Sequence, residues 1–510
     1  MKKFAVILCI ILSLCSISIS VSAAVSVDIP NETVSLGGDR SAVIKSDGSL
    51  WICGCDPGDG TNVNKTVPVK ILDDVTAVSL GHNHGAALKS DGSLWMWGNN
   101  NYGQLGDGTT AYKNAPVKIM GDVYAVSCGG IHSAAIKSDG SLWMWGANDK
   151  GQLGDGTTLN KSTPVKIMEN VATVSLGGWH SAAIKTDGSL WTWGTNRYGS
   201  LGDGTVTNSS TPKQVPLLND VVSIDLSMYT TAAVCKDTSL WMWGGNEYYQ
   251  LADGSNTNKC TPVRIMFGVK DVSTGSLHTL AIKTDDSLWA WGCGDSGQLG
   301  DGVMADRATP YKVMDNVASI SAGVFHSAAI KNDGSFFTWG DNYSGQLGDG
   351  TTSNRSLPAK VLDGAALPKK PEQKQEEPEK ANTINPSVIV NFKEISFPDQ
   401  KPLIVSNRTL VPARGVFEAM GATVEWNAAD KTVTVTKDGA KVKLTIGDKN
   451  MEVVKDNTRE IKVLDVPAQI INNRTMVPVR AISEAFDCLI IWDEKNYTVN
   501  ITSVDLPCVE

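Results

Sequence analysis

From about residue 31 to 363 the chain alternates β-branched or aromatic residues with small ones, in short runs bounded by Asp-Gly, Asn or Gly-rich turns. Period-two alternation between such turns predicts short strands. The runs recur as a set: a strand-like VxxVSxG, then HSAAIKSDG, then SLWxWG, then NxxGQLGDGTT leading into PVKIM. The aromatic after Ser-Leu falls at Trp51, Trp95, Trp143, Trp191, Trp241 and Trp289, and Phe337 takes that slot in Ser-Phe-Phe, with steps of 44, 48, 48, 50, 48 and 48 residues. The first copy lacks part of GQLG, hence its short step. Four strands per period of this length make one propeller blade, so the seven copies predict an all-β seven-bladed propeller over residues 24–363. Trp95 and Trp97 stand two apart and share a sheet face, as do Trp143/Trp145, Trp191/Trp193, Trp241/Trp243 and Trp289/Trp291. The tryptophans of these strands are expected to pack blade against blade.

Residues 364–384, with the run LPKKPEQKQEEPEK, are almost free of apolar side chains and read as a solvated linker. After it, NRTLVPARGVFEAMGATVEW (Asn407–Trp426) and NRTMVPVRAISEAFDCLIIW (Asn473–Trp492) form a second internal duplication offset by 66 residues. Pro412 and Pro478 suit a first helical turn, and the apolar spacing after them fits a short amphipathic helix. Strands such as Thr432–Thr436 and Tyr497–Thr502 complete a small duplicated α+β domain over 385–510.

The combination GxxHSAAI…DGSLWxWGxNxxGQLGDGTT resembles the repeats of the regulator of chromosome condensation family across about 31–363, which implies the same seven-bladed propeller. The paired NRT(L/M)VPxR copies resemble the N-terminal, stalk-type domain of copper amine oxidases across about 385–505. Copper chemistry does not follow: all six histidines lie between His82 and His326, and no Asn-Tyr-Asp or Asn-Tyr-Glu cofactor sequence is present. Arg414 and Arg480 are the polar candidates of this domain, with a structural role tying helix to turn as the expectation.

Export changes the picture of where such a protein works. Lys2 and Lys3 precede an apolar run from Phe4 to about Val21, and Val21-Ser22-Ala23 suits signal peptidase, so residues 1–23 are expected to be a secretory signal. A lipoprotein anchor at Cys15 is disfavoured because Leu14 before it is not small. No later stretch has the apolar length of a membrane span. The net charge is −9, and neither domain carries a basic excess, which argues against nucleic acid and anionic membrane as partners. The cysteines beyond the signal are scattered; Cys53-Gly54-Cys55 has no companion pair of the kind zinc needs, so no metal or other cofactor is expected, and one or two disulfides remain open.

Five histidines, His84, His132, His180, His278 and His326, fill one repeat slot, with Arg40 and Thr230 in the other two blades. Equivalent positions on separate blades are too far apart to share an ion, so a hydrogen-bonding role at the start of each second strand is expected. The aspartates Asp107, Asp155, Asp203, Asp253, Asp301 and Asp349 recur in GDG-type turns as turn formers rather than calcium ligands. No GxSxG elbow, Walker loop or HExxH occurs, and no catalytic residue is assigned.

One position varies against this constant background. The residue just before the histidine slot reads Asp39, Asn83, Ile131, Trp179, Tyr229, Leu277 and Phe325, bulky and apolar in five consecutive blades. Equivalent turns lie at one end of a propeller, so Ile131, Trp179, Tyr229, Leu277 and Phe325 are expected to form a ligand-binding arc; the alternative is that each covers the end of its own blade. The reading adopted is a secreted or cell-surface, non-catalytic binding or adhesion protein that engages an extracellular protein or a cell-wall glycan. A secreted inhibitor of an extracellular enzyme, such as a β-lactamase or cell-wall enzyme, is the alternative, since a secreted bacterial β-lactamase inhibitor shares this architecture. Guanine-nucleotide exchange is a third, set lower because export removes the protein from GTPases.

Overall fold

The computed structural model describes residues 32–503 except 219, 369–385, 391–392, 398, 406–407, 456–457, 465, 473, 480–484, 487 and 494–497. The expected signal peptide and the core of the linker lie outside the described residues.

Seven four-stranded antiparallel sheets follow one another along the chain, each with its strands in sequence order. The blades span Val34–Leu72, Val75–Met120, Val123–Met168, Val171–Gln214, Val221–Met266, Val269–Met314 and Val317–Leu362. In the second blade the strands are Val75–Leu80, His84–Lys89, Leu94–Gly98 and Lys113–Met120. The Asp-Gly turn between its second and third strands is closed locally: Asp91 Oδ1 accepts the Ser93 N–H at 2.9 Å, and Gly92 takes φ +75°, which L side chains resist. First strands of neighbouring blades touch in an unbroken ring around a central channel, the seventh meeting the first.

Each blade is completed by the next. Trp97, Trp145, Trp193, Trp243, Trp291 and Trp339 are 0% exposed. Each packs into the apolar cluster of the preceding blade, as Trp145 does against Leu94, Met96 and Leu105. Five of these indoles also donate their N–H to a loop carbonyl of that blade, at 2.8–2.9 Å. Trp97 cannot, because the first repeat lacks the loop residues that would supply the carbonyl, and its Nε1 has no partner among the described residues. In the first blade Cys53 holds the tryptophan slot, and its thiol lies 3.3 Å from the equivalent carbonyl, of Gln346. The other tryptophan of each pair behaves differently from the expectation of shared blade-to-blade packing. Trp51, Trp95, Trp143, Trp191 and Trp289 are half-buried. Each donates to the serine two residues earlier and lies under a lysine ammonium 4.3–5.9 Å from its ring centre.

A second ring of contacts lines the channel. The serine of each VxxVSxG strand accepts the backbone N–H that follows the same slot in the next blade: Ser35 from Leu80, Ser79 from Cys128, Ser127 from Leu176, Ser175 from Leu226, Ser273 from Ala322 and Ser321 from Leu36. In the fifth blade Asp225 takes the serine's place and accepts from both the N–H and the hydroxyl of Thr274.

Ring closure explains why the first strand of the first blade has three residues where the other six blades have six. Gly364 and Ala365, which the sequence assigns to the linker, complete that sheet from the far end of the repeats. Ala365 bridges Lys45, as Val75 pairs with Lys89 in the second blade. The Ser46 N–H donates to Gly364 O, the Ala366 N–H to Ile44 O and the Ala365 N–H to Gly334 O. Ala365 is 4% exposed among Val34, Val43 and Phe336.

The C-terminal region is β-rich around one described helix, Ala413–Ala419, with Pro412 at its start as expected; the helix expected after Pro478 lies mostly outside the described residues. Hairpins Leu403–Val405/Arg408–Pro412 and Gln469–Ile471/Arg474–Pro478 join through an antiparallel pair in which Val411 faces Val477. Those two residues are 66 apart, the offset of the duplication, so a local two-fold axis passes between a residue and its own copy. Arg414 does not tie helix to turn: it is exposed and pairs with Glu418 one turn on, at 3.4 Å. Arg480 lies outside the described residues.

The closure makes a directional prediction. Ala365→Asp places a carboxylate in an apolar seam and should lower the unfolding free energy by roughly 3 kcal/mol. Ala365→Val, which restores the residue at this slot in the other six blades, should be tolerated. Equal melting temperatures for the two variants in the full chain would remove the seam from the account of closure.

Candidate functional site

The five histidines sit at the head of each second strand, 0% exposed. Nε2 of His84, His132, His180 and His278 lies 2.9–3.0 Å from a hydroxyl in the following blade, on Ser133, Ser181, Thr231 and Ser327; His326 reaches Ser41 at 3.1 Å. Each hydroxyl spends its own proton on a loop carbonyl, as Ser133 does on Gln104 O at 2.8 Å. The imidazole must therefore donate, which fixes the neutral Nε2–H tautomer. Where the first blade has Arg40 instead of histidine, the second has Gly85 instead of the hydroxyl. The histidines hydrogen-bond at the start of each second strand, as expected; that each bond crosses to the next blade is what the structure adds.

Burial pushes His84, His132, His180 and His278 down to about 3 and His326 to about 4. The GDG aspartates are turn-closing groups: Asp107 Oδ1 accepts the Thr109 N–H at 2.9 Å, and Oδ2 pairs with Lys113 at 3.2 Å.

The channel beside the serine ring, a cavity of about 190 Å³, is lined by hydroxyls and carboxylates that include Asp225 and Asp271. Loss of solvation pushes Asp225 up to about 6 and Asp271 to about 7, the latter also through the charge of Asp225. At the opposite end the channel opens through a mouth of about 110 Å³ built from the turns between first and second strands, including Gly81, Gly129, Gly177, Met228 and Val324. Backbones meet closely there; a Cβ on Gly81 would stand 2.4 Å from Gly129 O. Bulk is thereby excluded at the slot of Gly81, while the following rim position already holds His82, Met228 and Val324 in three blades.

The variable position lies two residues beyond the slot of Gly81. Ile131, Trp179, Tyr229 and Leu277 are half-buried and Phe325 is 39% exposed. Each is anchored by its carbonyl, which accepts the N–H of the residue after the third strand, at 2.9–3.0 Å. The structure brings two of the five together: Trp179 and Tyr229, on adjacent blades, stack at 5.5 Å between ring centres and 26° between planes. Tyr198, absent from the sequence-based set, meets Tyr229 edge-on at 4.7 Å, and the Arg197 guanidinium lies 5.3 Å from the Tyr198 ring centre. Tyr102 and Tyr248 occupy the same slot as Tyr198 in their own blades and are exposed. The signal was in the sequence as a tyrosine two residues after the WGxN asparagine, legible once the third strand is known to end where the second begins.

A rigid ring with an aromatic, cation-edged face, and with its repeated histidines and aspartates occupied in structural bonds, defines a propeller-type interaction scaffold. Residues 20–269 match the RCC1-like domain, and residues 285–330 and 333–371 match the regulator of chromosome condensation (RCC1) repeat. Residues 389–501 match the copper amine oxidase N-terminal domain. The chain thus belongs to the RCC1 repeat family over residues 20–371 and continues in a copper amine oxidase N-terminal domain. No curated protein matches it.

Among solved structures it resembles human WBSCR16 (23% identity over 59% of this chain and 86% of that one, TM-score 0.54). It also resembles yeast RCC1 (Prp20) bound to Kap60 (19%, 66% and 86%, TM-score 0.56) and Prp20p from Saccharomyces cerevisiae (19%, 65% and 86%, TM-score 0.55). At these identities the likeness establishes the fold. Both modules are non-catalytic in kind, and the propeller is one suited to protein binding.

The neutral histidines make stability pH-dependent. In the unfolded chain histidine titrates near 6.5, so below that pH the unfolded state takes up protons that the folded state refuses until about pH 3. At pH 5 each buried imidazole should cost about 2 kcal/mol. Glu32, pushed up to about 8 by burial, acts with Asp225 and Asp271 in the opposite sense, their penalty fading as pH falls through 8, 7 and 6, but three carboxyls offset only part of the cost of five histidines. The melting temperature should drop steeply between pH 7 and pH 5; a flat profile there would contradict the neutral-tautomer assignment.

Proposed function

We propose that this is an exported, non-catalytic binding protein whose propeller mouth face engages an extracellular protein or a cell-wall glycan, with the duplicated C-terminal domain as an accessory module. The observation that carries the reading is the Trp179–Tyr229–Tyr198 cluster. Three aromatic rings from two adjacent blades share one patch at the end of a disc whose other positions are held nearly constant. Aromatic anchors beside an arginine are the side chains that dominate interface energetics, and ring faces suit either a peptide or a sugar. Ile131, Leu277 and Phe325 extend the patch along the arc. The solved yeast structures support a protein partner: one shows RCC1 bound to Kap60, and the other is described with its binding to Gsp1p and histones.

The test is affinity capture from culture medium and cell-wall fractions with the wild-type chain, followed by binding measurements on variants. Trp179→Ala, Tyr229→Ala and Phe325→Ala should each weaken capture by roughly 1–4 kcal/mol with little change in melting temperature. Unaltered affinity in all three would move the site to the other end of the channel or to the second domain. Lower stability with unaltered affinity would show that the rings only cover blade ends.

A further inference from the structure

The sixth blade departs from a lock that five others share; the first, with Asp56 at this slot, also lacks it. Asn100, Asn148, Asn196, Asn246 and Asn342 are 0% exposed, and each directs its amide into the loop that follows its third strand. The equivalent residue in the sixth blade is Gly294. Backbone fills the space left: a Cβ on Gly294 would stand 2.0 Å from Ala305 O. Asp306 Oδ1 accepts the Gly294 N–H at 3.0 Å, the bond that Asn160, Asn208, Asn258 and Asn354 make in their own blades. Cys293, Asp295 and Asp306 then offer one sulfur and two carboxylates whose ligand atoms all lie within 4.8 Å of one another. Cys293 is buried, whereas the two aspartates open to solvent.

Gln298 gives an independent indication. It is 0% exposed, its Oε1 accepts the Ser296 N–H at 2.9 Å, and its Nε2 has no partner among the described residues. In the second and seventh blades the equivalent amide donates to Asn99 at 2.9 Å and Asp341 at 2.6 Å, which hold the slot of Cys293. In the third blade it donates to Asp149 at 3.3 Å, which holds the slot of Asp295. By the precedent of those blades, the unpartnered Gln298 amide belongs to the slots of Cys293 and Asp295. A thiolate accepts such a donor far better than a thiol does, and thiolate is the form in which cysteine binds a metal.

We propose that Cys293, Asp295 and Asp306 form a site for one divalent transition-metal ion of the zinc class, with Gln298 donating to the coordinated sulfur. One sulfur and two oxygens suit a borderline-soft ion in tetrahedral geometry, leaving a fourth position on the solvent side. Binding replaces the thiol proton with the metal, so two positive charges meet three negative ligands. The sequence reading looked for paired cysteines or cysteine–histidine clusters; here the third ligand comes from the slot that holds an asparagine in four other blades, where it accepts the same N–H.

The experiment is titration of the metal-stripped full chain with cobalt(II) alone. It should take up one equivalent, with a thiolate-to-cobalt charge-transfer band that zinc(II) then displaces. Two variants have precedents within the repeats and so should keep the fold. Cys293→Ala copies Ala147 of the third blade and should abolish the band. Asp306→Asn copies Asn160, Asn208, Asn258 and Asn354, of which Asn160 accepts the matching N–H at 2.8 Å, and should weaken binding roughly tenfold or more. Circular dichroism and the metal-free melting temperature check folding of both. No charge-transfer band in the wild-type chain, or equal cobalt affinity in folded Cys293→Ala or Asp306→Asn, would overturn the proposal.

Discussion

No blade of this propeller holds a finished core. The indole that fills the second blade's interior belongs to the third, and so on round the ring, with a backbone carbonyl waiting for its N–H. A single buried tryptophan of this kind is typically worth 3–5 kcal/mol when truncated to alanine. Because each contribution needs the adjoining blade in place, stability accrues to the circle rather than to its segments. The histidine–hydroxyl ties and the serine ring add direction to the same contact, since both bond from one blade into the next and neither bonds within a blade. The short first blade shows how local the dependence is: the missing loop residues leave Trp97 without a partner, yet a cysteine keeps the Gln346 carbonyl occupied on the other side.

Much of this was legible before any coordinates. Repeat period, turn chemistry and alternation suffice for the blade, and the histidine slot reads correctly as structural because blade-separated ligands cannot converge. What escaped has identifiable causes. The two tryptophans of SLWxWG have the same spacing and the same chemistry, and only the position of the neighbouring blade decides that one is enclosed while the other lies half-open under a lysine. Gly364 and Ala365 look like the start of a linker because the strand they complete begins more than three hundred residues earlier. Tyr198 was overlooked because its slot follows the third strand, while the search followed the turn before the second.

The mouth face owes its character to the same geometry. Close backbone approach holds the slot of Gly81 to small residues, so variation falls in the two positions that follow, the second of which rests on a scaffold already fixed by its own carbonyl. Five neutral imidazoles behind that face, each tied through Nε2 and buried, keep it free of charge switching at ordinary pH. Side chains at these turn positions can therefore change without disturbing the packing beneath.

In the C-terminal domain, Val411 pairs with Val477, its own image under the duplication. A contact between a residue and its copy is one that two identical, separate chains can make across a two-fold axis. The domain is in that sense a homodimer written into one polypeptide. Once the halves are joined, each is released from having to match the other, and the first copy has used that freedom to extend into a five-stranded meander. The symmetry survives at the seam, where both halves still meet the original requirement of fitting themselves.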